Sequence, residues 1–554
     1  MTLNNQYRHG QFIKMIILFF LILGDMRPSF AQSKPDLRPN ILLIVADDLG
    51  YTDLGCFGGD IKTPNIDLLA KQGILFTQFH TSPLCAPTRS MILSGNDNHV
   101  AGMGSMFSVE GTPRAGKPGY EGHLTDRIVT VAQILKDGGY QTFMSGKWHL
   151  GSEDEFIPYA KGFEKSFALL NGAANHFNNN PIFIDEPPQY RQDNQVVQFP
   201  PESFSTDVYT NKMIGFIKDA RKDKPFFAYL TYTAPHWPLQ VPADYIDRYK
   251  GKYDMGYDSL RVIRFNRQKA MGIIPASVVL RPRNPAVKPW SDLSEANKKT
   301  EARKMEIYAA MIENLDDHIG RLIQYLKDSH QLENTVIVFM SDNGAAGQDL
   351  YKLPEGNGPF LREHYDNRYE NMGTASSFVC YGPGWAQASM APFKLFKSYS
   401  TEGGIVTPLI ISGKFIHKNP GNQNVFINVM DLAPGFIELA QLSYPAIYQN
   451  KKVVPMLGES FVPYLKGESN RIHKGEYIFG LEHSGQCSLI QGDWKITNIS
   501  DPFDERAFAL YKLSDDMGET QDLSGKYPNK FAEMMNLWAI FKKKEGVIPL
   551  EKGE

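Results

Sequence analysis

Residues 41–46 of the segment RPNILLIVADDLG form an apolar run without alternation. Such a run fits a strand buried on both faces, as in a parallel sheet covered by helices. The pattern then switches to helical spacing in TPNIDLLAKQG, with Thr63 placed to cap, Pro64 at the first helical position and Gly73 as the stop. ILFTQF predicts a strand, VTVAQILKDGG a helix and YQTFMSG another strand. A helix near 207–218 precedes the strand PFFAYLTYT, and a long helix around 305–326 leads into NTVIVFMSDNG. Strands alternating with helices predict an α/β fold, with a mostly parallel central sheet and helices on both faces.

Two stretches interrupt this rhythm. Residues 172–205 are rich in Asn, Pro, Gln and aromatics, and residues 344–400 in Gly and aromatics. Both read as long loops, which on α/β scaffolds often line sites. Residues 243–298 read as a further, partly helical insertion. After a helix near 431–442, YIFGLEH, CSLIQGDWKITN and FALYKLS follow as strands without helices between them. A final helix places Phe531, Met534, Met535, Trp538 and Phe541 on one face, a packing stripe. These patterns predict a main domain over 32–445 and a smaller C-terminal α+β subdomain over 446–554, an antiparallel sheet with a packed helix. No internal repeat is visible.

The N-terminus carries a different signal. Arg8 and Lys14 precede the apolar run MIILFFLIL, and Ser29 and Ala31 stand at small-residue cleavage positions. This predicts a signal peptide over 1–31 and a periplasmic or secreted protein, with an uncleaved anchor as the alternative. No later segment is apolar for long enough to span a membrane. A net charge of −3 over 554 residues gives no bulk electrostatic reason to expect a nucleic-acid partner. The four cysteines, Cys56, Cys85, Cys380 and Cys487, are too few for a disulfide scaffold and lack CxxC spacing.

Ligands of open parallel sheets bind at the carboxyl ends of strands. The first strand ends in Asp47-Asp48 and the strand VIVFMSDNG ends in Asp342-Asn343. Either pair alone also suits a turn or a cap. Converging on one sheet edge, they would need a cation, and all-oxygen ligands suit Ca²⁺ or Mg²⁺. In SGKWHLG, an extended chain would point Lys147 and His149 the same way, toward an oxyanion, and Trp148 the other way. His236 lies between two prolines in APHWPL, placed to move a proton.

The segment SPLCAPTRS places Cys85 at a helix N-terminus, where free N–H groups attract anions, with Arg89 one turn further in. As thiol chemistry the site does not close. The spacing to Arg89 is shorter than in the phosphate loop of cysteine phosphatases, and a hard-ion cluster is an odd neighbour for a soft thiolate.

CAPTRSMILSG carries the C-x-P-x-R signature, and the chain resembles the formylglycine-dependent sulfatases, the bacterial arylsulfatases most closely. The resemblance extends through NILLIVADDLGYTDLGCFGGDIKTPNID, GYQTFMSGKWHLG, FFAYLTYTAPHWPLQ, VFMSDNG, YSTEGGIVTPLI and QGDWKI. It implies an alkaline-phosphatase-like fold and hydrolysis of the S–O bond of sulfate monoesters, aryl or carbohydrate. It implies that a maturation enzyme oxidises Cys85 to formylglycine, whose gem-diol forms a sulfo-enzyme intermediate. Asp47, Asp48, Asp342, Asn343 and the modified residue 85 would hold Ca²⁺ in preference to Mg²⁺. Arg89 would steady the diol, and Lys147, His149, His236 and Lys397 would surround the sulfate. Lys394 competes with Lys397 for that role. His176 is a candidate contact to the organic part of the substrate, whereas His80 and His99 support the signature loop. A phosphate or phosphonate ester hydrolase is the alternative on the same scaffold. A silent binding protein with an intact thiol is the alternative outside catalysis.

Overall fold

The computed structural model describes residues 38–417 and 421–548. The expected signal segment, 1–31, lies outside them. The unalternating run after Asn40 forms β1 (Asn40–Ala46), buried along its whole length. The other strands of its sheet are β2 (Ile74–His80), β3 (Gln141–Lys147), β4 (Lys165–Leu169), β5 (Tyr190–Gln192), β6 (Gln195–Val197), β7 (Phe226–Thr231), β8 (Thr335–Ser341), β9 (Leu409–Ser412) and β10 (Gly421–Asn428). Their order is β10-β2-β9-β8-β1-β7-β3-β4-β5-β6. β9 is antiparallel to both β2 and β8, and β5 to both β4 and β6. Every other neighbouring pair is parallel, so only β9 and β5 oppose the common direction.

Side chains of β7 show how both faces are covered. Phe226 stacks toward Phe143, which meets Phe216 of the helix Ser205–Lys218. Phe227 meets Phe436 of the helix Leu432–Leu439. Adjacent strand residues point to opposite faces, so these two helices lie on opposite sides of the sheet. The expected α/β class with a mostly parallel sheet is what forms.

The expected elements form, with differences in extent. The long helix runs over Glu295–Asp328, starting well before residue 305. Its first turns, EANKKTEARK, carry little apolar spacing but strong helix formers, and the Ser294 side chain caps them by accepting from Asn297 N. The helix Pro64–Gln72 starts where expected, but Thr63 makes no cap bond; its hydroxyl donates to Asp67 Oδ1 at 3.1 Å. The stretch expected as a loop over 172–205 contains the β5–β6 hairpin, and 344–400 contains the helices Asn357–His364 and Gly382–Ser389. Short polar strands such as QVV and YRQ leave too little apolar alternation to be read locally.

Past a two-stranded hairpin of β11 (Ile447–Tyr448) and β12 (Lys451–Lys452), a second sheet forms. It comprises β13 (Ile478–His483), β14 (Gln486–Gln491), β15 (Trp494–Asn498) and β16 (Ala509–Lys512), antiparallel in sequence order. The helix Pro528–Glu545 packs on it through Met534, Trp538 and Phe541 against Leu489, Ile496 and Leu510. Among the described residues no helix is long and apolar enough to cross a membrane.

Candidate active site

Strands β8, β1, β7 and β3 are adjacent and parallel, so their carboxyl ends lie side by side. Asp342-Asn343 follows β8, Asp47-Asp48 follows β1, His236 lies in the loop after β7, and Lys147 ends β3. Two local features aim these groups. Asp48 adopts φ 64°, a conformation seldom taken by residues other than glycine and concentrated at functional sites. Gly146, at φ 116°, has room for no side chain: a Cβ there would sit 1.8 Å from Thr231 O. The backbones of β3 and β7 therefore meet closely just before Lys147.

Lys147 Nζ donates to Asp47 Oδ2 at 2.7 Å, and Lys397 Nζ lies 2.7 Å from Asp48 Oδ1. Arg89 donates to Asp342 Oδ2 through both Nε, at 3.1 Å, and Nη2, at 2.7 Å, and through Nη1 to Lys147 O at 3.0 Å. Asn343 Nδ2 donates to Asp48 Oδ1 at 2.6 Å, and Asp48 N to Asp342 Oδ1 at 3.2 Å. His236 Nε2 is 3.4 Å from Asp48 Oδ2, while its Nδ1 donates to Trp237 O at 2.6 Å. All these side chains are buried.

Cys85 begins the helix Cys85–Ser94, which Gly95 ends in the left-handed conformation at φ 64°. The Sγ atom lies 3.4 Å from His149 Nδ1 and 3.6 Å from Met106 Sδ. His149 reaches it through a φ of 59°, so the chain does not stay extended past Trp148 as expected. Trp148 points away from the site as expected, into the core, with Nε1 donating to Phe156 O. Burial pushes the Cys85 thiol above its usual value, although Lys147 and Lys397 oppose the shift. A thiol held protonated in this way is a poor nucleophile. Burial also lowers His149 and His236 well below the ordinary imidazole range, reinforced by neighbouring lysines. Both rings are neutral. Lys397 moves the other way: against its burial, Asp48 holds the ammonium charged.

The donor set fits a hard cation. Asp47 Oδ1 and Asn343 Oδ1 are buried and have no hydrogen-bond partner. Ligand atoms of Asp47, Asp342 and Cys85 lie within 4.8 Å of one another, and so do those of Asp47, Asp48 and His236. Buried oxygens without partners are costly unless a ligand satisfies them. Asp342 is pushed up by burial and by Asp47, which is the repulsion a divalent ion relieves.

Asp47, Asp48, Cys85, Arg89, Lys147, His149, His236, Asp342, Asn343 and Lys397 are therefore brought together at this sheet edge. Lys394 is not: its Nζ donates to Tyr511 OH at 3.1 Å, on the C-terminal sheet. His176 has both nitrogens engaged, Nδ1 with Ser205 Oγ at 2.6 Å and Nε2 with His236 O at 3.2 Å. It holds the His236 loop rather than facing a substrate. His80 and His99 pair with Glu402 and Glu482, away from the reacting groups. The four cysteines are free.

Sequence reasoning missed a supporting layer. Tyr308 of the long helix donates to Asp53 Oδ2 at 2.7 Å, and Asp53 also pairs with Arg264. Gly50 N donates to the same Asp53 oxygen, which fixes the turn just after Asp48. These residues sit far apart in sequence, and only the signature-like spacing of DDLGYTD marks the near side.

Residues 39–442 match the sulfatase family model. The chain is 41% identical to an uncharacterized sulfatase of Schizosaccharomyces pombe over 535 residues, 94% of this chain and 96% of that protein. It is 42% identical to an arylsulfatase of Klebsiella aerogenes over 435 residues, 78% of this chain and 92% of that one. Its fold is similar to the crystal structure of Ps i-CgsB in complex with k-i-k-neocarrahexaose, with a TM-score of 0.64 at 22% identity, covering 91% of this chain and 92% of the other.

Proposed function

We propose, from the premise that the chain belongs to the sulfatase family and is a sulfuric ester hydrolase, that it cleaves the S–O bond of sulfate monoesters after oxidation of Cys85 to formylglycine. One observation carries the reading. Arg89, Lys147 and Lys397 converge with two partnerless buried oxygens around a thiol that burial holds protonated. Such a thiol has no evident use as it stands, and a hydrated aldehyde at the same position does.

Asp47, Asp48, Asp342 and Asn343 would hold Ca²⁺, with residue 85 completing the set. The ion would supply charge that makes sulfur more electrophilic. Formylglycine would supply, as its hydrate, one hydroxyl to attack sulfur and a second to release sulfate. The chain's own residues then divide the work. Lys147 and Lys397 orient and neutralise the sulfate oxygens. Arg89, fixed by Asp342 and by the Lys147 carbonyl, steadies the helix turn that presents residue 85. His149 Nδ1, 3.4 Å from the atom that residue 85 presents, accepts a proton there, and its neutral state suits that task.

The leaving alcohol needs a donor. His236 spends its Nδ1 proton on Trp237 O, which leaves Nε2 of the neutral ring as a lone pair. Lys397, held charged, is therefore the hydrogen-bond donor to the departing oxygen. His236 Nε2 lies 3.4 Å from Asp48 Oδ2, on the carboxylate that also holds this ammonium. The organic part is an aryl group or a sugar; an arylsulfatase relative and a fold relative solved with a carbohydrate support keeping both. The basic, apolar N-terminal segment supports export to the periplasm or beyond.

The test is mass spectrometry of the Cys85 peptide from protein made in a host that forms formylglycine. Rates on matched aryl sulfate and phosphate esters are measured on the same sample. The expected result is an aldehyde or its hydrate at residue 85 and faster sulfate release. An intact thiol in fully active enzyme sinks the mechanism, and a faster phosphatase reaction sinks the substrate class.

A further inference from the structure

We propose that the β13–β14 hairpin, through His483 and Gln486, forms a subsite for a hydroxyl on the leaving group. The inference rests on the sulfatase reading above and deepens it.

His483 ends β13 and pairs directly with Gln486, the first residue of β14. Its ring is 2% exposed, yet neither Nδ1 nor Nε2 has a hydrogen-bond partner. Gln486 Oε1 is also buried and unpartnered. The contrast with the preceding residue is sharp. Glu482 takes His99 Nε2, Arg114 Nη2 and Gly485 N, so its carboxylate is fully used. Buried polar atoms in native proteins nearly always find partners. Two orphaned ring nitrogens and an orphaned amide oxygen on one hairpin point to a ligand.

The hairpin touches two segments that also carry groups of the reaction centre. Met106 Sδ touches Cys85 Sγ at 3.6 Å, and the ring of the next residue, Phe107, lies 6.0 Å from the His483 ring. Ser400, three residues beyond Lys397 in the chain, donates through Oγ to Cys487 O at 2.8 Å. Residue 85 and Lys397 therefore each connect to this hairpin through one short contact path. Phe107 is 61% exposed and supplies an apolar wall beside the polar atoms.

The chemistry selects the ligand group. Burial, with Arg114 and His99 nearby, holds the His483 ring down to about 4, against the pull of Glu482. A neutral imidazole offers one donor and one acceptor, and Gln486 Oε1 adds an acceptor. A hydroxyl donates and accepts in the same way, whereas an unsubstituted phenyl ring satisfies none of these atoms. Sites built to bond a hydroxyl reject analogues that lack it. Such a hydroxyl comes from a sugar or from a hydroxyaryl group.

The experiment uses the full chain with formylglycine verified at residue 85. It compares kcat/KM on phenyl sulfate, catechol monosulfate and N-acetylglucosamine 6-sulfate. His483→Phe keeps a ring against Phe107 without its nitrogens, His483→Gln restores a donor and an acceptor, and Gln486→Leu tests the amide separately. Wild type should favour at least one hydroxylated ester over its expected chemical reactivity. On that ester His483→Phe and Gln486→Leu should each lose about tenfold or more, with losses within about threefold on phenyl sulfate and partial rescue by His483→Gln. Loss confined to catechol sulfate identifies a hydroxyaryl substrate, and loss confined to the sugar identifies a carbohydrate. Equal losses on phenyl sulfate, no loss on any ester, or a wild type that handles no hydroxylated ester overturns the subsite. A wild type carrying the aldehyde but inert toward all three sulfates instead overturns the sulfatase reading beneath it.

Discussion

Lys495 Nζ donates to Glu402 Oε1 at 2.7 Å, and through that bond the C-terminal sheet grips the segment carrying Lys397. The same ammonium lies 3.1 Å from Glu519, whose other oxygen accepts from Glu402 N at 2.7 Å. His80, at the end of β2, closes the group on Glu402 Oε2 at 3.1 Å. Against burial, Lys495 and His80 hold Glu402 down, while burial and Glu402 push Glu519 up. The segment carrying Lys397 is thus anchored by a buried charge cluster of His80, Glu402, Lys495 and Glu519.

Removing the cation from that cluster strands two carboxylates in the core. Lys495→Met should cost about 3–5 kcal/mol, the range for breaking a buried pair by deleting one partner. Calorimetry should show a clear fall in Tm. The double variant Lys495→Met/Glu519→Gln should recover part of it, because one of the stranded charges is gone. An unchanged Tm in the single variant would show that the cluster contributes nothing to the fold.

Lys397 as donor to the leaving oxygen makes a prediction about leaving groups. An alkyl alkoxide needs that hydrogen bond far more than a nitrophenolate does. Lys397→Ala should therefore reduce kcat on an alkyl sulfate by about 100-fold or more, the scale of lost acid–base assistance, and on nitrophenyl sulfate by distinctly less. Equal losses on the two esters would assign Lys397 to sulfate binding alone.

These roles were unequally legible in the sequence. Asp47-Asp48 and Asp342-Asn343 directly follow apolar strands and Lys147 ends one, so register alone places them at the sheet edge. Lys397 has no such frame. It lies in a loop whose neighbours Leu395 and Ser398 adopt φ of 59° and 79°, and family resemblance alone singled it out. β10 was missed because GNQNVFIN begins as a polar edge strand. Tyr308 and Lys495 act through partners 255 and 93 residues away, Asp53 and Glu402, and His483 is marked only by its unpartnered ring nitrogens. Nothing in their local spacing distinguishes them from ordinary strand and helix residues.

A divalent cation at the carboxylate cluster should be visible as stability, independently of turnover. Dialysis against a chelator should lower Tm and abolish sulfate release, and calcium should restore both. At a free ion concentration 100 times the dissociation constant the gain is about 2.7 kcal/mol. Asn343→Leu removes a ligand oxygen without changing charge, so it should move the calcium dependence of Tm to higher concentration. A Tm indifferent to chelator and calcium alike would rule out a resident ion at this edge.

The last prediction concerns pH and a histidine outside the reaction centre. His99 lies between Asp97 Oδ1, at 2.9 Å, and Glu482 Oε2, at 3.0 Å, with Arg114 on the other oxygen of Glu482. Against burial, the two carboxylates raise His99 to about 9. In the unfolded chain the same ring titrates near about 6.5. Its folded value is the higher one, so the charged ring stabilises the fold fully below about pH 6.5. That contribution is lost as pH climbs through about 9. The shift corresponds to about 3 kcal/mol between those limits. Chemical denaturation of the wild type at pH 6 and pH 9.5 should show stability falling across this window, and His99→Gln should flatten most of the slope while lowering stability at pH 6. Identical slopes for the two proteins would place the titration elsewhere.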